Sequence, residues 1–384
     1  MKSILLFDGI FQYGVVNDFI NEMETFLPEL GFKPIRVDLT NGDLSILESV
    51  NFSEVACAIC FNGVGAALEY QGDYFFNKSN IPVIQILVDH PAFHAQRLTI
   101  LQNQAVSCVD NTHVEFLKGV GCPNVFLLLH GGPNRATEVT KSRPIDILFP
   151  ASYAEELSNG THWETKYGDL APLLIDIAND STSSPLIGLE ERILAHPLAV
   201  NLVGETNVSD TYMQVVVDLN LYFRHRSRIR LVNELDQAGH TLHLCGSGWE
   251  SQAFKHHEIL GKCDFDSVKE HMKNSKIVLD SSPFHPVGLH ERCLYGAMYG
   301  AAIFTDRNAL KEQIFDHEVD AYLYNTESLD SLIDAIQNTL SSGLWEKLAV
   351  NGQLKVQEGH TWKHRIEALV GALNIDPELE AKNG

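Results

Sequence analysis

Apolar and polar positions alternate in blocks along the first 140 residues. Short apolar runs stand at Ser3–Phe7, Lys33–Asp38, Val55–Phe61, Val83–Val88, Ala105–Val109 and Val125–Leu129. Amphipathic stretches separate them. One, Val16–Leu30, stops at Gly31, a residue suited to a helix C-terminus. The runs lack period-2 alternation, which predicts strands of a parallel sheet buried on both faces. Strand–helix alternation at this spacing predicts a doubly wound α/β domain. The polar segment NRATEVTKSRP, ending at Pro144, reads as a linker, and a new buried strand opens at Ile145. Trp163 to Leu235 reads as mainly helical and contains the small polar patch NDSTSSP. The α/β pattern resumes at HTLHLCGSGW and runs through SKIVLDSS and GAAIFTD to a helical end. Two Rossmann-like domains facing a cleft are expected, the first over residues 1–140 and the second over 145–360, with a helical insertion near the start of the second. Ligands of open α/β sheets bind at the carboxyl ends of the strands, so strand-end loops are where chemistry is expected.

The richest such loop lies in SKIVLDSSPFHPVGLHERCLYGAMYGAAIFTD, from Ser275 to Asp306. A strand, a Ser/Pro/Gly loop and a helix beginning near Leu289 follow one another, which presents backbone N–H groups and a positive helix end to an anion. Gly288 allows a close backbone approach. Arg292 is suited to bidentate phosphate pairing. Glu291 can accept from ribose or sugar hydroxyls, and His290 can donate to phosphate or base. The competing reading is an ordinary capped helix.

This segment resembles the glycosyl transferases group 1 family, in particular its CgeB-like, spore-maturation-type branch. The resemblance is carried by SKIVLD, the GLHER box, AMYGAAIFTD and the closing EGHTWKHR, and covers Cys245 to Leu373. It implies the GT-B architecture, a donor held mostly by the second domain, and sugar transfer from a nucleotide-activated donor without a bound metal or other cofactor. It also implies that the terminal stretch, 361–384, is a helix crossing back to the first domain, where His360 and Trp362 would pack rather than catalyse. One departure is visible. Retaining members carry a ribose-binding glutamate just before the Ala-Met step; here Gly296 precedes Ala297 and Met298. Glu291 stands five residues earlier as the substitute, and stereochemistry does not carry over.

Three further loops join the candidate site. In LCGSGWES, Gly246 and Gly248 follow a strand and can frame a phosphate or base, although a lone GxG is weak. In YFRHRSRIRLVNEL, Arg224 and Arg228 share one helix face while Arg226 and Arg230 share nearly the opposite one. One pair can neutralise a diphosphate leaving group, as a metal-free site requires; Arg226 is carried to the donor side, and a solvated salt-bridged helix is the alternative. In ILVDHPAFHAQRL, a strand runs into Asp89 and His90, with His94 and Arg97 on the following turns. Asp89 and His90 are the candidate catalytic base groups for an acceptor hydroxyl, and His94 is placed beside the acceptor. The alternative is a helix cap before Pro91. Gly14, in FDGIFQYGVVND, is also placed on the acceptor side. That loop lacks GxGxxG, which lowers a dehydrogenase reading.

Composition bounds these readings. The 28 basic and 50 acidic residues give a net charge of -22, which argues against nucleic acid or an anionic membrane as the main partner. From Tyr222 to Glu312 the balance is 12 basic against 11 acidic, so the proposed donor stretch escapes the acidity of the rest. No signal peptide and no run of about 18 apolar residues is visible, which predicts a cytoplasmic protein without a transmembrane segment. Seven cysteines are not a disulfide framework, and Cys57 and Cys60, although a CxxC, sit among apolar residues and read as strand core. The expected function is transfer of a sugar from a nucleotide sugar to a glycan, small-molecule or protein acceptor. A sugar-nucleotide epimerase on the same scaffold, or a non-catalytic nucleotide-sugar or spore-coat binding protein, are the alternatives.

Overall fold

The computed structural model describes residues 1–70, 72–98, 100, 103–180, 186–202 and 210–372. Most of the small polar patch, residues 181–185, lies outside them, as does Leu373 with the rest of the terminal segment. The chain divides into two units, residues 1–134 with 360–384, and residues 135–359.

In the first unit the six apolar runs form six strands, β1 (Ser3–Asp8), β2 (Lys33–Asp38), β3 (Val55–Phe61), β4 (Val83–Leu87), β5 (Gln104–Cys108) and β6 (Val125–Leu127). All pair in parallel in the order β2-β1-β3-β4-β5-β6. Strands β1 and β4 are buried throughout, which is why their sequences do not alternate. Cys57 and Cys60 are core side chains of β3, and burial pushes the Cys57 thiol up to about 12. The helix expected over Val16–Leu30 is an α-helix only over Val15–Phe26; a 3-10 turn, Leu27–Leu30, follows because Pro28 has no N–H to continue the ladder. The helix Trp362–Ala372 belongs to this unit. Trp362 packs its ring 4.8 Å from that of Phe19, and Arg365 Nε donates to His130 O at 2.9 Å.

The second unit repeats the plan with β7 (Ile145–Phe149), β8 (Leu242–Cys245), β9 (Glu258–Gly261), β10 (Ser275–Leu279), β11 (Ala302–Asp306) and β12 (Tyr322–Tyr324). The order is β9-β8-β7-β10-β11-β12, again all parallel. The two edge strands β9 and β12 are the ones the apolar pattern did not reveal, being short and either half-exposed or aromatic. Several helices separate β7 from β8, ending in the 28-residue helix Asp210–Gln237. The segment read as a linker is fastened to this unit. Arg143 donates to the carbonyls of Met272, Ser275 and Tyr299 at 3.2, 2.8 and 2.9 Å. Among the described residues no helix is long and apolar enough to cross a membrane.

Each sheet reverses its strand order once, between β1 and β3 in the first unit and between β7 and β10 in the second. Neighbouring connections leave such a point in opposite directions, so a crevice opens beyond the strand ends.

Candidate functional site

At the switch point of the second unit, three loops and one helix converge. The loop after β7 carries Ala151, Ser152 and Tyr153. The loop after β8 lies directly on it: Tyr153 N donates to Ser247 O at 2.9 Å, Trp249 Nε1 donates to Ala151 O at 2.6 Å, and the Trp249 and Tyr153 rings stack. This contact explains both glycines. A Cβ on Gly246 would stand 2.5 Å from Ala151 O, and one on Gly248 would stand 1.8 Å from Tyr153 O. Both have positive φ, 153° and 91°. Their amides are engaged within the protein, Gly246 N on Gly261 O and Gly248 N on Glu250 Oε2, each at 2.8 Å. Gly246 and Gly248 thus serve loop-on-loop packing rather than an open phosphate cradle.

The helix Asp210–Gln237 delivers the cations. Arg228 is buried and donates to Ser152 O at 2.7 Å. Its guanidinium stands 5.7 Å from the Phe284 ring centre, and that of Arg224 stands 4.0 Å from it. Ser227 Oγ meets Ser281 Oγ at 3.0 Å, tying the helix to the loop after β10. Between the two arginines, His225 accepts from Ala154 N; burial first, and then Arg228 and Arg224, push its pKa down to about 3. Two guanidiniums beside a neutral imidazole at a strand-end crevice make a positive potential suited to an anion. Arg226 is not part of it. Its side chain is exposed and meets the hydroxyl and ring of Tyr222 on its own helix.

The loop from Ser281 to His290 ends on the helix Glu291–Met298. His290 caps this helix: its Nδ1 accepts from Arg292 N at 3.2 Å and stands 3.0 Å from Glu291 Oε2. One nitrogen cannot both accept from that amide and donate to the carboxylate, so only one of the two contacts is a hydrogen bond at a time. Glu291 is half-buried at the helix start. Gly288 O accepts from Asn308 Nδ2 at 2.9 Å, which fixes the turn before the helix.

Arg292 is placed differently from the expectation. Its Nη1 donates to Asp280 Oδ1 at 2.5 Å, and Asp280 is fully buried at the end of β10. Lys311, also fully buried, donates to Ser282 Oγ, Thr305 Oγ1 and Asp306 O at about 3 Å and pairs with Asp306 at 3.1 Å. Ser282 and Thr305 both donate to Asp280 Oδ2. Two cations and two carboxylates therefore balance beneath the loop. Burial alone would raise the Asp280 pKa, but Arg292 and Lys311 hold it well below the usual carboxylate range. Asp280, Asp306 and Lys311 were missed by sequence reading, since a lone Asp after a strand and a Lys in a short helix carry no pattern.

Gly296 is explained by packing. A side chain there would run into Ile303 and Val278 at 2.7 and 3.1 Å, so no carboxylate fits at that position.

In the first unit the loops after β3 and β4 meet beside the switch point. Asn62 Nδ2 donates to Asp89 Oδ2 at 3.3 Å, and Arg97 Nη1 donates to Asn62 O at 3.1 Å. His90, not Asp89, is the cap of the turn Pro91–His94: its Nδ1 accepts from Ala92 N at 3.2 Å, and its ring packs on His113 and Phe116. With Nδ1 accepting, a neutral ring carries its proton on Nε2 and has no free lone pair to act as a base. His94 is pushed down to about 4, mainly by burial, with Asp89 opposing and Arg97 and His90 assisting. Gly14, at φ 77°, is the left-handed turn opening the helix Val15–Phe26. Among the described residues Asp89, His90 and His94 do not converge as a metal-holding group; Cys245, Cys263 and His271 do.

Two parallel six-stranded sheets with helices on their faces are the GT-B architecture of glycosyltransferases. Residues 224–371 match the family model described as glycosyl transferase-like, a span that includes Arg224, Arg228, the Ser281–His290 loop and the buried charge network. No curated protein matches the chain in sequence. Among solved structures, an alpha-glucosyltransferase in complex with UDP aligns at 9% identity over 97% of this chain and 100% of its own, with a TM-score of 0.56. The same type of enzyme in complex with UDP-glucose and DNA containing an abasic site aligns at 10% over 97% and 99%, with 0.53. HepE of Anabaena in complex with UDP-glucose aligns at 12% over 97% and 100%, with 0.51. At such identities the likeness establishes the fold.

Proposed function

We propose that the chain is a glycosyltransferase that takes its sugar from a nucleotide-activated donor held by the second unit. The observation that carries this is the pair Arg224 and Arg228, held over Phe284 at the switch point of a sheet whose segment is glycosyl transferase-like. In this reading the two guanidiniums meet the diphosphate and stabilise its charge as the bond from the sugar's anomeric carbon to phosphate oxygen breaks. Glu291 accepts from ribose or sugar hydroxyls in place of the glutamate that Gly296 excludes. Arg292 acts at one remove, holding the loop through Asp280. The solved relatives in complex with UDP and UDP-glucose make uridine the first nucleotide to test.

On the acceptor side we assign proton removal from the attacking hydroxyl to the Asp89 carboxylate. His94 is neutral at physiological pH and is placed as a hydrogen-bonding partner of the acceptor. The acceptor is a glycan, a small molecule or a protein; the net charge of -22 disfavours a polyanion, and DNA is the control because one relative is complexed with it. Departure of the diphosphate is assigned to the arginines without a metal, and the chain is assigned to the CgeB-like branch on its GLHER and HTW motifs. The missing ribose carboxylate favours a second reading, a non-catalytic nucleotide-sugar binder. A thermal-shift panel of UDP-, GDP-, dTDP- and CMP-sugars, followed by product analysis with and without chelator, tests both. A shift with one nucleotide class and slow donor hydrolysis supports the transferase. A shift with no turnover of donor supports the binder, and epimerised donor seen by NMR without acceptor supports the epimerase.

A further inference from the structure

A second group of side chains stands at the root of the 246–248 loop, and donor binding does not use it. Cys245 closes β8, Cys263 stands two residues beyond β9, and His271 lies in the last turn of the helix Phe265–Lys273. One ligand atom from each, two sulfurs and a ring nitrogen, all lie within 4.8 Å of one another. The backbone builds this convergence. Strands β8 and β9 pair His243 with Glu258 and Leu244 with Ile259, then slip so that Cys245 opposes Gly261. Such a bulge re-aims the side chains beside it, and Gly246 N on Gly261 O closes the slip. His243 shares the strand face of Cys245. Its Nε2 stands 3.1 Å from Glu258, while its Nδ1 is buried with no hydrogen-bond partner.

We propose that Cys245, Cys263 and His271 bind a zinc-class divalent metal that ties β9 and the helix Phe265–Lys273 to the end of β8. Two thiolates and an imidazole are the donor set of a borderline-soft ion, not of magnesium or calcium. Tetrahedral zinc, with bonds of about 2.3 Å to sulfur and about 2.0 Å to nitrogen, needs ligand atoms roughly 3.5–3.8 Å apart. A closure of about 1 Å by side-chain rotation supplies that. The fourth position is left to water or to His243. Cys263 and His271 are half-buried, which gives the ion a path in. Binding releases the thiol protons, so occupancy falls with acid. The same two thiols are close enough to invite oxidation to a disulfide, which the test must separate from metal binding.

The full chain, reduced and stripped of metal, is titrated with Co²⁺ as a spectroscopic probe and then with Zn²⁺. One equivalent is expected to bind with thiolate-to-cobalt charge-transfer and tetrahedral ligand-field bands, to be displaced by Zn²⁺, and to slow alkylation of Cys245 and Cys263. Cys263→Ser and His271→Ala should each weaken binding by more than about 100-fold, beyond the usual loss from an outer-shell change. Cys122→Ser, in the first unit, should change nothing. Zn²⁺ should raise the melting temperature of the unsubstituted chain and of neither ligand variant. Absence of the charge-transfer band, binding that survives both ligand variants, or alkylation equally fast with and without Zn²⁺ overturns the proposal.

Discussion

Replacing Arg292 by Ala separates two roles for this side chain. As a phosphate ligand, its loss would weaken donor binding and spare the fold, which is what sequence reading expected. The structure reverses that expectation. Arg292 is nearly buried and its Nη1 meets Asp280, which has no solvent exposure. With Arg292 removed, Lys311 remains as the one buried cation of the network facing both Asp280 and Asp306. Its Nζ is 3.7 Å from Asp280, too far for a hydrogen bond. Breaking a buried ion pair from one side costs about 3–5 kcal/mol. For a unit of this size about 1 kcal/mol moves the melting temperature by roughly 2–4 °C, so Arg292→Ala should melt about 6–20 °C lower. The double change Arg292→Met with Asp280→Asn, which removes both charges, should cost less than the single changes summed. The pH dependence follows from the same pair. The folded Asp280 pKa is depressed, so its stabilisation is present above the unfolded value near about 3.9 and is lost as pH falls below it. Thermal melts of Arg292→Ala, of the double change and of its two single changes, with and without UDP, measure this. An Arg292→Ala protein that melts like the parent yet has lost nucleotide binding would instead make Arg292 a phosphate ligand.

Gly248→Ala places a methyl 1.8 Å from Tyr153 O at a positive φ, and should cost about 2–6 kcal/mol in a denaturant melt from strain and overpacking together; an unchanged midpoint would show that the loop does not lie on Tyr153. Burial raises the Asp320 pKa to about 6 against the pull of Lys355. Because the folded value exceeds the unfolded one, this group's contribution is lost as pH rises through about 6, so Asp320→Asn should melt higher than the parent at neutral pH and equally below about pH 4. Asp89→Asn should leave UDP binding intact and lower sugar transfer by at least about 100-fold; full transfer activity would remove Asp89 as the base.

The two sheets were legible in the sequence because buried parallel strands are written as unbroken apolar runs, as in β1 and β4. The edge strands β9 and β12 were not, since a strand paired on one side needs no such run. The helix Asp210–Gln237 was visible, yet the choice among its arginines was not. Helical spacing separates Arg224 and Arg228 from Arg226 and Arg230, but the direction of the switch point is set by pairing of β7 with β10, strands 130 residues apart along the chain. Arg292 was misread for a related reason. A helix-start arginine after a glycine loop fits a phosphate by spacing alone, and only the burial of Asp280 shows that its charge is already answered. The cluster of Cys245, Cys263 and His271 left no local motif, because a register slip between β8 and β9 brings it together.

Arg224 and Arg228 are assigned as the diphosphate contact of the proposed nucleotide-sugar site. Calorimetric titration of UDP-glucose into the parent chain, Arg224→Ala and Arg226→Ala measures that contact. Loss of a charge-assisted contact of about 1.5–3 kcal/mol predicts binding roughly 10- to 150-fold weaker for Arg224→Ala, with Arg226→Ala equal to the parent. Unchanged binding in Arg224→Ala together with loss in Arg226→Ala would move the diphosphate contact to the opposite helix face.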